Sequence, residues 1–453
     1  MSWTQKTLGE IVNLKRGFDL PSSSRVDGPY PVFSSSGQTG THSEAAVKGP
    51  CVVTGRYGTI GQVFFSDAAC WPLNTSLYST DFKGNDPKFV YYLLKTIPWR
   101  DYLTASAVPG INRNHVHLCP VCVPDHETQT AISGVLGLLD NKIELNTKLN
   151  GYLLELMNVQ YQHSFCCNKL TLGSIYDIAD VVYGAAFKSA LFNEEKVGYP
   201  LIRIRDLSTF SPQYWTNEAH PKRVFVHPGD VLAGMDAEFT PCLWQGEMAV
   251  LNQRVCLFEP AANSGVSRSY LLMALNPLLA FIQNYASGTT VAHMGKGDLE
   301  ALNVPIPARG DLERFNTIAE PLREQIVQNS TQNRKLAALR DALLPKLMSG
   351  EIDVSRVDFT QLNSHLAETL RPFGCHIPAI QKTGQLALLR TAPYPRPSRY
   401  SANQRHSPTY QISRQTIPCV WASPHGRNPR PPLPPAAAVR RLRGVRSGIG
   451  RAI

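Results

Sequence analysis

Long apolar runs are missing from this 453-residue chain, which nowhere shows the ~18 consecutive apolar residues of a membrane helix. Its polar opening, MSWTQKTLGE, does not read as a secretory signal. Cysteine is sparse and scattered, ten residues in all, which suits reduced thiols better than a disulfide framework. A soluble, cytoplasmic protein is expected. Charged residues make up only 18%, but 43% hydrophobic and 9% aromatic residues are ordinary for globular domains. The length suits roughly two to four domains.

Acidic residues are wholly absent from one stretch. Residues 371–453 hold 13 Arg, one Lys and 13 Pro but no Asp or Glu. The net charge of +10 belongs to that stretch, because the first 370 residues carry 31 basic against 35 acidic side chains. Without sustained apolar periodicity it cannot bury enough surface to offset its chain entropy. Residues 353–453 are expected to be a disordered Pro/Arg-rich tail, with out-of-frame or read-through coding as one origin. The alternative is a basic nucleic-acid arm. Global charge therefore carries no argument about DNA.

Catalytic signatures are also lacking. There is no GxxxxGK[ST] loop, and Gly295-Lys296-Gly297 has no hydroxyl residue to hold magnesium. Gly55-Arg56-Tyr57-Gly58-Thr59-Ile60-Gly61 lacks the GxGxxG spacing and reads as a tight turn beneath an arginine. Asn276-Pro277-Leu278-Leu279 is not the Asn/Asp-Pro-Pro-aromatic motif of an amino-methyltransferase. Cys119-Pro120-Val121-Cys122, with His115 and His117 nearby, is half a zinc spacing with no second CxxC. No Ser/His/Asp or Cys/His constellation stands out. Neither a catalytic nor a metal site is expected.

What is present is an internal repeat. Leu8-Gly9-Glu10-Ile11 is echoed by Leu172-Gly173-Ser174-Ile175, and Gly28-Pro29-Tyr30-Pro31-Val32 by Gly198-Tyr199-Pro200-Leu201-Ile202. The apolar run 89–94 returns at 269–274, a small-residue loop at 105–110 returns at 286–290, and closing strands stand at 121–124 and 304–307. Within the halves, 49–55, 61–65, 199–205 and 228–233 read as strands or turns feeding strands.

A long helix signal follows each closing strand. Ile132, Leu136, Leu139, Ile143, Leu149, Leu153 and Leu156 keep three-and-four spacing over about 128–163. Ile318, Leu322, Ile326, Leu336, Leu339 and Leu343 do so over about 312–348. Each stripe needs a partner, and the other copy is the nearest one. Antiparallel pairing, through Leu136, Leu139, Ile143, Leu153, Ile326, Leu336 and Leu339, would place the two halves at opposite ends. Asn146 and Asn329, at equivalent places in the stripes, would fix the register. The expected architecture is α+β and pseudo-two-fold. A first head spans 1–125 and a helix 126–168; a second head spans 169–308 and a helix 309–352; the tail is 353–453.

The order of these pieces resembles the specificity subunit of type I restriction–modification enzymes. The resemblance rests on Arg16-Gly17-Phe18-Asp19-Leu20-Pro21, Tyr30 to Gly37, Gly55 to Gly61 and Trp71-Pro72-Leu73-Asn74-Thr75-Ser76-Leu77. It rests equally on Gly229 to Asp236 and on Leu343-Leu344-Pro345-Lys346-Leu347-Met348-Ser349-Gly350-Glu351-Ile352, so that it covers about residues 5–355. It implies a non-catalytic subunit whose two target-recognition domains read a bipartite, asymmetric site in double-stranded DNA. The helices would space the heads and dock two methyltransferase subunits, with restriction/translocase subunits joining them. No cofactor of its own is implied. S-adenosylmethionine, ATP and Mg would enter through the partners, whose complex is an adenine-specific methyltransferase and ATP-dependent endonuclease. The alternative is a coiled-coil scaffold with two protein-binding heads.

Arginine suits guanine edges and Asn or Gln suits adenine, while many basic groups touch only phosphate. On that chemistry the DNA-binding candidates are Arg56, Asn74, Asn112 and Arg113 in the first half. In the second they are Lys188, Arg203, Arg205, Gln253, Arg254 and Lys296.

Overall fold

The computed structural model describes residues 3–104, 109–165, 171–286 and 293–354. The chain separates into two units, Met1–Ile377 and Pro378–Ile453, and every described residue lies in the first. Residues 355–453 of the expected tail, and most of both small-residue loops, fall outside the described residues.

The first head contains β1 (Trp3–Thr7), the one-turn α1 (Leu8–Ile11), β2 (Asn13–Arg16), β3 (Tyr30–Ser34) and β4 (Gly37–His42). It continues with β5 (Cys51–Gly55), β6 (Val63–Ser66), β7 (Trp71–Pro72), β8 (Ser76–Asp81), α2 (Pro87–Thr96), α3 (Arg113–Val116) and β9 (Pro120–Pro124). One antiparallel sheet has the order β2-β8-β5-β6; a second has the order β4-β3-β7, with β3 and β7 parallel. β1 and β9 close the head as an antiparallel ribbon, Trp3 opposite Pro124. The long α4 (His126–Phe165) leaves from it.

The second head repeats this plan with β10 (Thr171–Gly173), β11 (Ala179–Tyr183), β12 (Phe192–Asn193), β13 (Tyr199–Ile202), β14 (Tyr214–Thr216) and β15 (Phe225–Val226). Then come β16 (Val231–Gly234), β17 (Cys242–Leu243), β18 (Ala249–Leu251), β19 (Val255–Pro260), α5 (Arg268–Ala286), α6 (Lys296–Glu300), β20 (Val304–Ile306) and α7 (Arg309–Met348). The order β11-β19-β16-β17 is that of the first antiparallel sheet. The core of the other sheet, β14-β13-β18, reproduces β4-β3-β7 down to its parallel pair. β10 and β20 close the head. The repeat is structural, not only textual.

Within the heads, two details differ from the sequence expectation. The match of 8–11 to 172–175 is out of register: Thr7 and Ser174 occupy equivalent caps, their N–H groups donating to Glu10 and Asp177, each at 2.7 Å. Buried Leu8 and Ile11 then correspond to Ile175 and Ile178, while Leu172 is exposed. The strand expected over 199–205 stops at Ile202, because Arg203 begins a 3-10 turn (Ile204–Asp206) whose Asp206 carboxylate accepts the Arg203 N–H at 2.9 Å.

Each long helix has 40 residues, about 60 Å at 1.5 Å per residue. They pack antiparallel. Ile132 and Leu136 share the first head's core with Leu347 and Met348 from the far end of α7. Met157, Tyr161 and Phe165 share the second head's core with Leu312 and Phe315. Among the expected seam residues, Leu136 and Ile326 are fully buried and Leu139, Ile143, Leu153 and Leu336 partly so. Leu339 does not belong there: it is 48% exposed, because its neighbour Arg340 takes the inward place and meets Asp140 at 2.6 Å. Ile318 and Leu156 of the apolar stripes are likewise exposed. The middle of the seam is polar instead, with Asn146, Asn150, Asn329 and Ser330 all buried.

Candidate functional site

At one end of each head the same turns converge. In the first, the Arg56 and Tyr57 N–H groups donate to the Thr75 carbonyl at 2.9 and 3.2 Å, and Ile111 N–H donates to the Arg56 carbonyl at 3.0 Å. In the second, Met235 N–H donates to the Arg254 carbonyl at 3.0 Å. A side chain on Gly17 would strike the Leu73 carbonyl, and one on Gly184 the Asn252 carbonyl, so glycine is required at both close approaches. These contacts make Asn252 the counterpart of Leu73, Gln253 of Asn74 and Arg254 of Thr75.

Each convergence forms a cleft. The first, about 310 Å³, is lined by Arg16, Arg56, Tyr57, Asn112, Arg113 and Asn114. The second, about 640 Å³, has Phe187 together with Arg203, Arg205, Asn252, Gln253 and Arg254. The structure thus brings together Arg56, Asn112 and Arg113 in one head, and Arg203, Arg205, Gln253 and Arg254 in the other.

Local partners hold these side chains. The Arg56 guanidinium lies 4.6 Å from the Tyr57 ring centroid, and that of Arg203 lies 5.3 Å from Tyr214, arrangements that limit arginine's rotamers while leaving its donors available. Asn112 caps α3, its side-chain oxygen accepting the Asn114 N–H at 3.0 Å. Arg113 donates to the Leu14 carbonyl at 3.4 Å and Arg205 to Gln213 Oε1 at 3.4 Å. Arg254 pairs with Asp236 at 3.4 Å, and Asp236 also meets His293 Nδ1 at 2.6 Å. Burial pushes the Asp206 carboxyl beneath Arg203 up from its ordinary value, against the amide bond that lowers it.

Three sequence candidates stand apart. Asn74 is hydrogen-bonded to Asp19, which also pairs with Arg16 at 3.4 Å, and it lies outside the cleft lining. Lys188 is exposed beside the cleft, with its N–H donating to Glu218 at 2.8 Å. Lys296 opens α6 and pairs with Glu300 at 3.3 Å. Sequence reasoning missed Arg16, Tyr57 and Phe187. Arg16 had a signal, since it immediately precedes the Gly17 that the close approach to Leu73 requires.

The cysteine–histidine cluster resolves into packing. His117 Nε2 accepts the Leu14 N–H at 3.0 Å, Cys119 is buried and Cys122 is exposed. Burial, then Arg113 and Lys83, holds His117 below its ordinary value. Among the described residues no group of three or more His, Cys, Asp or Glu could hold a metal, and no helix is long and apolar enough to cross a membrane.

Two heads of one topology, set at opposite ends of an antiparallel helix pair and each opening an arginine-lined cleft, define a duplicated two-headed recognition protein. The chain belongs to the family of the type I restriction modification DNA specificity domain, whose model matches residues 1–154 and 169–328. It is similar to the type I restriction enzyme EcoBI specificity subunit of Escherichia coli, 33% identical over 193 residues, which are 41% of this chain and 40% of that protein. The alignment thus spans less than half of that relative. A second relative, the MjaIX specificity subunit of Methanocaldococcus jannaschii, is 24% identical over 311 residues, 60% of this chain and 70% of that protein. Among solved structures, an S subunit from M. genitalium is 16% identical, with 76% of this chain and 96% of that one covered at a TM-score of 0.49. The HsdS subunit of Thermoanaerobacter tengcongensis is also 16% identical, covering 77% and 97% at a TM-score of 0.29.

Proposed function

We propose that the chain is the DNA-reading specificity subunit of a type I restriction–modification complex. The observation that carries this reading is the pair of arginine-lined clefts on one duplicated fold, held apart by two 40-residue helices. A rod of about 60 Å is long enough to set two readers one or more DNA turns apart, roughly 34–36 Å each. Diverged clefts then read an asymmetric target in two parts. Arg56, Asn112 and Arg113 serve one half, with Arg203, Arg205, Gln253 and Arg254 serving the other. Asn74, Lys188 and Lys296 are at most peripheral to it.

The chain performs no catalysis in this reading. Methyltransferase subunits supply S-adenosylmethionine and adenine methylation, and restriction subunits supply ATP- and Mg-dependent cleavage. Tyr152, Leu156 and Val159, which are exposed along α4, offer such a protein partner an apolar face.

The test exchanges residues 1–125 for the matching head of a relative and sequences the methylome of the host. One half of the methylated motif should change. If both halves change, or neither, the two-reader reading is wrong. The scaffold alternative is met by gel shift with the methyltransferase subunit: no selective retention of any duplex from a random pool would favour it.

A further inference from the structure

Strand register matches positions at one cleft with positions at the other. Phe33 and Ile202 stand at the same point of the two parallel pairs, opposite Pro72 and Leu251. One and three residues further on, Ser34 and Ser36 occupy the places of Arg203 and Arg205. Thr75 occupies the place of Arg254, since each carbonyl accepts the amide just past β5 or β16. In the other direction, Arg16 lies opposite Leu77 as Tyr183 lies opposite Cys256, and Arg56 takes the place of Met235. Arg113 and Lys296 each open their short helix. That is the one place basic in both heads, and there Lys296 is paired with Glu300.

The arginines of the two heads therefore sit around the same opening at non-equivalent positions. In the first head they come from the end of β2, the β5–β6 turn and α3. In the second they come from the turn after β13 and the β18–β19 turn. The wall that is basic in one head is uncharged or ion-paired in the other: Ser34 and Ser36 bond to each other at 3.0 Å, while Asp236, in the place of Tyr57, is paired with Arg254 and His293, and Lys296 with Glu300.

Resting on the DNA reading above, we propose that the two heads grip their half-sites through different walls of one inherited cleft. The duplex settles on the wall where guanidinium groups are densest, which meet phosphate oxygens and, through their bidentate forks, guanine edges. The duplex then crosses the first head on its α3 side and the second on its β13 side. The two heads are thus not rotated copies of a single protein–DNA contact.

The experiment selects duplexes from a random-sequence pool with the full chain and then measures variants on the selected site at two salt concentrations. Arg56→Ala and Arg205→Ala should each weaken binding roughly 5- to 100-fold and relax different halves of the site. Lys296→Ala should stay within about two-fold, whereas Arg113→Ala should not. Arg56→Lys and Arg205→Lys keep charge without the bidentate fork, so the salt slope should persist while the motif relaxes, a result that a folding defect would not give. Equal losses in Lys296→Ala and Arg113→Ala, or no loss when Arg203 and Arg205 are both replaced, would overturn the wall assignment. A wild-type chain that retains no duplex selectively would overturn the DNA reading itself.

Discussion

Asn146 donates its side-chain amide to Asn333 Oδ1 at 2.8 Å, and Asn329, in the matching place of the other helix, donates to Asn150 Oδ1 at the same distance. The acceptors are related in the same way. Asn333 passes its Nδ2 to the Ile143 carbonyl at 3.3 Å and to Thr147 at 3.2 Å; Asn150 passes its own to the Ile326 carbonyl at 3.2 Å and to Ser330 at 2.9 Å. Four amides thus form a two-fold ladder that closes only when the helices run in opposite directions at this register. A slip by one turn would strip the partners from Asn146, Asn150 and Asn329, all buried, at about 1–3 kcal/mol each.

Asn146→Leu should therefore destabilise the helix pair by about 1 kcal/mol or more, since the half-buried Asn333 and its neighbour Gln332 both lose the donor that Asn146 supplies. Replacing Asn146 and Asn333 together by Leu should cost less than the sum of the single changes. Urea denaturation of the four chains gives the coupling. Additive losses would deny the ladder its role.

The seam should respond unequally to charge. Leu336→Asp introduces a carboxylate at a partly buried place and should cost a few kcal/mol. Leu339→Asp, on an outward face, should change stability by less than about 0.5 kcal/mol. Thermal melts of the two variants settle the difference.

A polar clasp fastens the first head to both helices. Tyr92 donates to Asp140 Oδ2 at 2.6 Å, and Arg340 pairs with Asp140 Oδ1 at 2.6 Å. Burial works against the charge on Arg340, but Asp140 and Asp341 hold it protonated. Asp140→Ala should cost about 2–3 kcal/mol, less than the ~3–5 of a fully buried pair, because the two side chains keep 26% and 21% exposure. Tyr92→Phe should cost about 1 kcal/mol. Denaturant midpoints of the single variants report both.

Stability should depend on pH through His117. Its folded value lies below the ordinary 6.5, so the unfolded chain binds the proton more readily. The contribution is whole above 6.5 and is lost as pH falls toward the folded value. Melting temperatures between about pH 7.5 and 5.5 should fall for the natural chain and fall less for His117→Gln, which keeps an acceptor for the Leu14 amide. Parallel curves would remove His117 from the account.

The duplication and both long helices were legible because apolar spacing and glycine turns are local signals. Arg203 and Arg205 looked like strand residues because apolar–basic alternation continues through Arg205, whereas the Asp206 cap ends the strand three residues earlier. Leu339 looked like a seam residue for a similar reason. Spacing shows that a helix has a stripe, but not where a partnered Arg340 turns that stripe outward. Arg16 and Arg113 come within one cleft through the strand pairing of β2 with β8, the bridge between Tyr57 and Gly110 and the Arg113–Leu14 bond, contacts remote in sequence.

The first head is not finished by the first half of the chain. Among the described residues its core joins Leu8 to Leu136 with Leu347, Met348 and Val354, whereas the second core lies within Met157 to Ile326. As the polypeptide leaves the ribosome, every described side chain of the second core emerges before Leu347, Met348 and Val354 of the first. The order of emergence therefore runs, at its last step, against the amino-terminal-first order usual in vectorial folding. Ile132 and Leu136 at the base of α4 thus share a cluster with side chains that synthesis supplies more than 200 residues later.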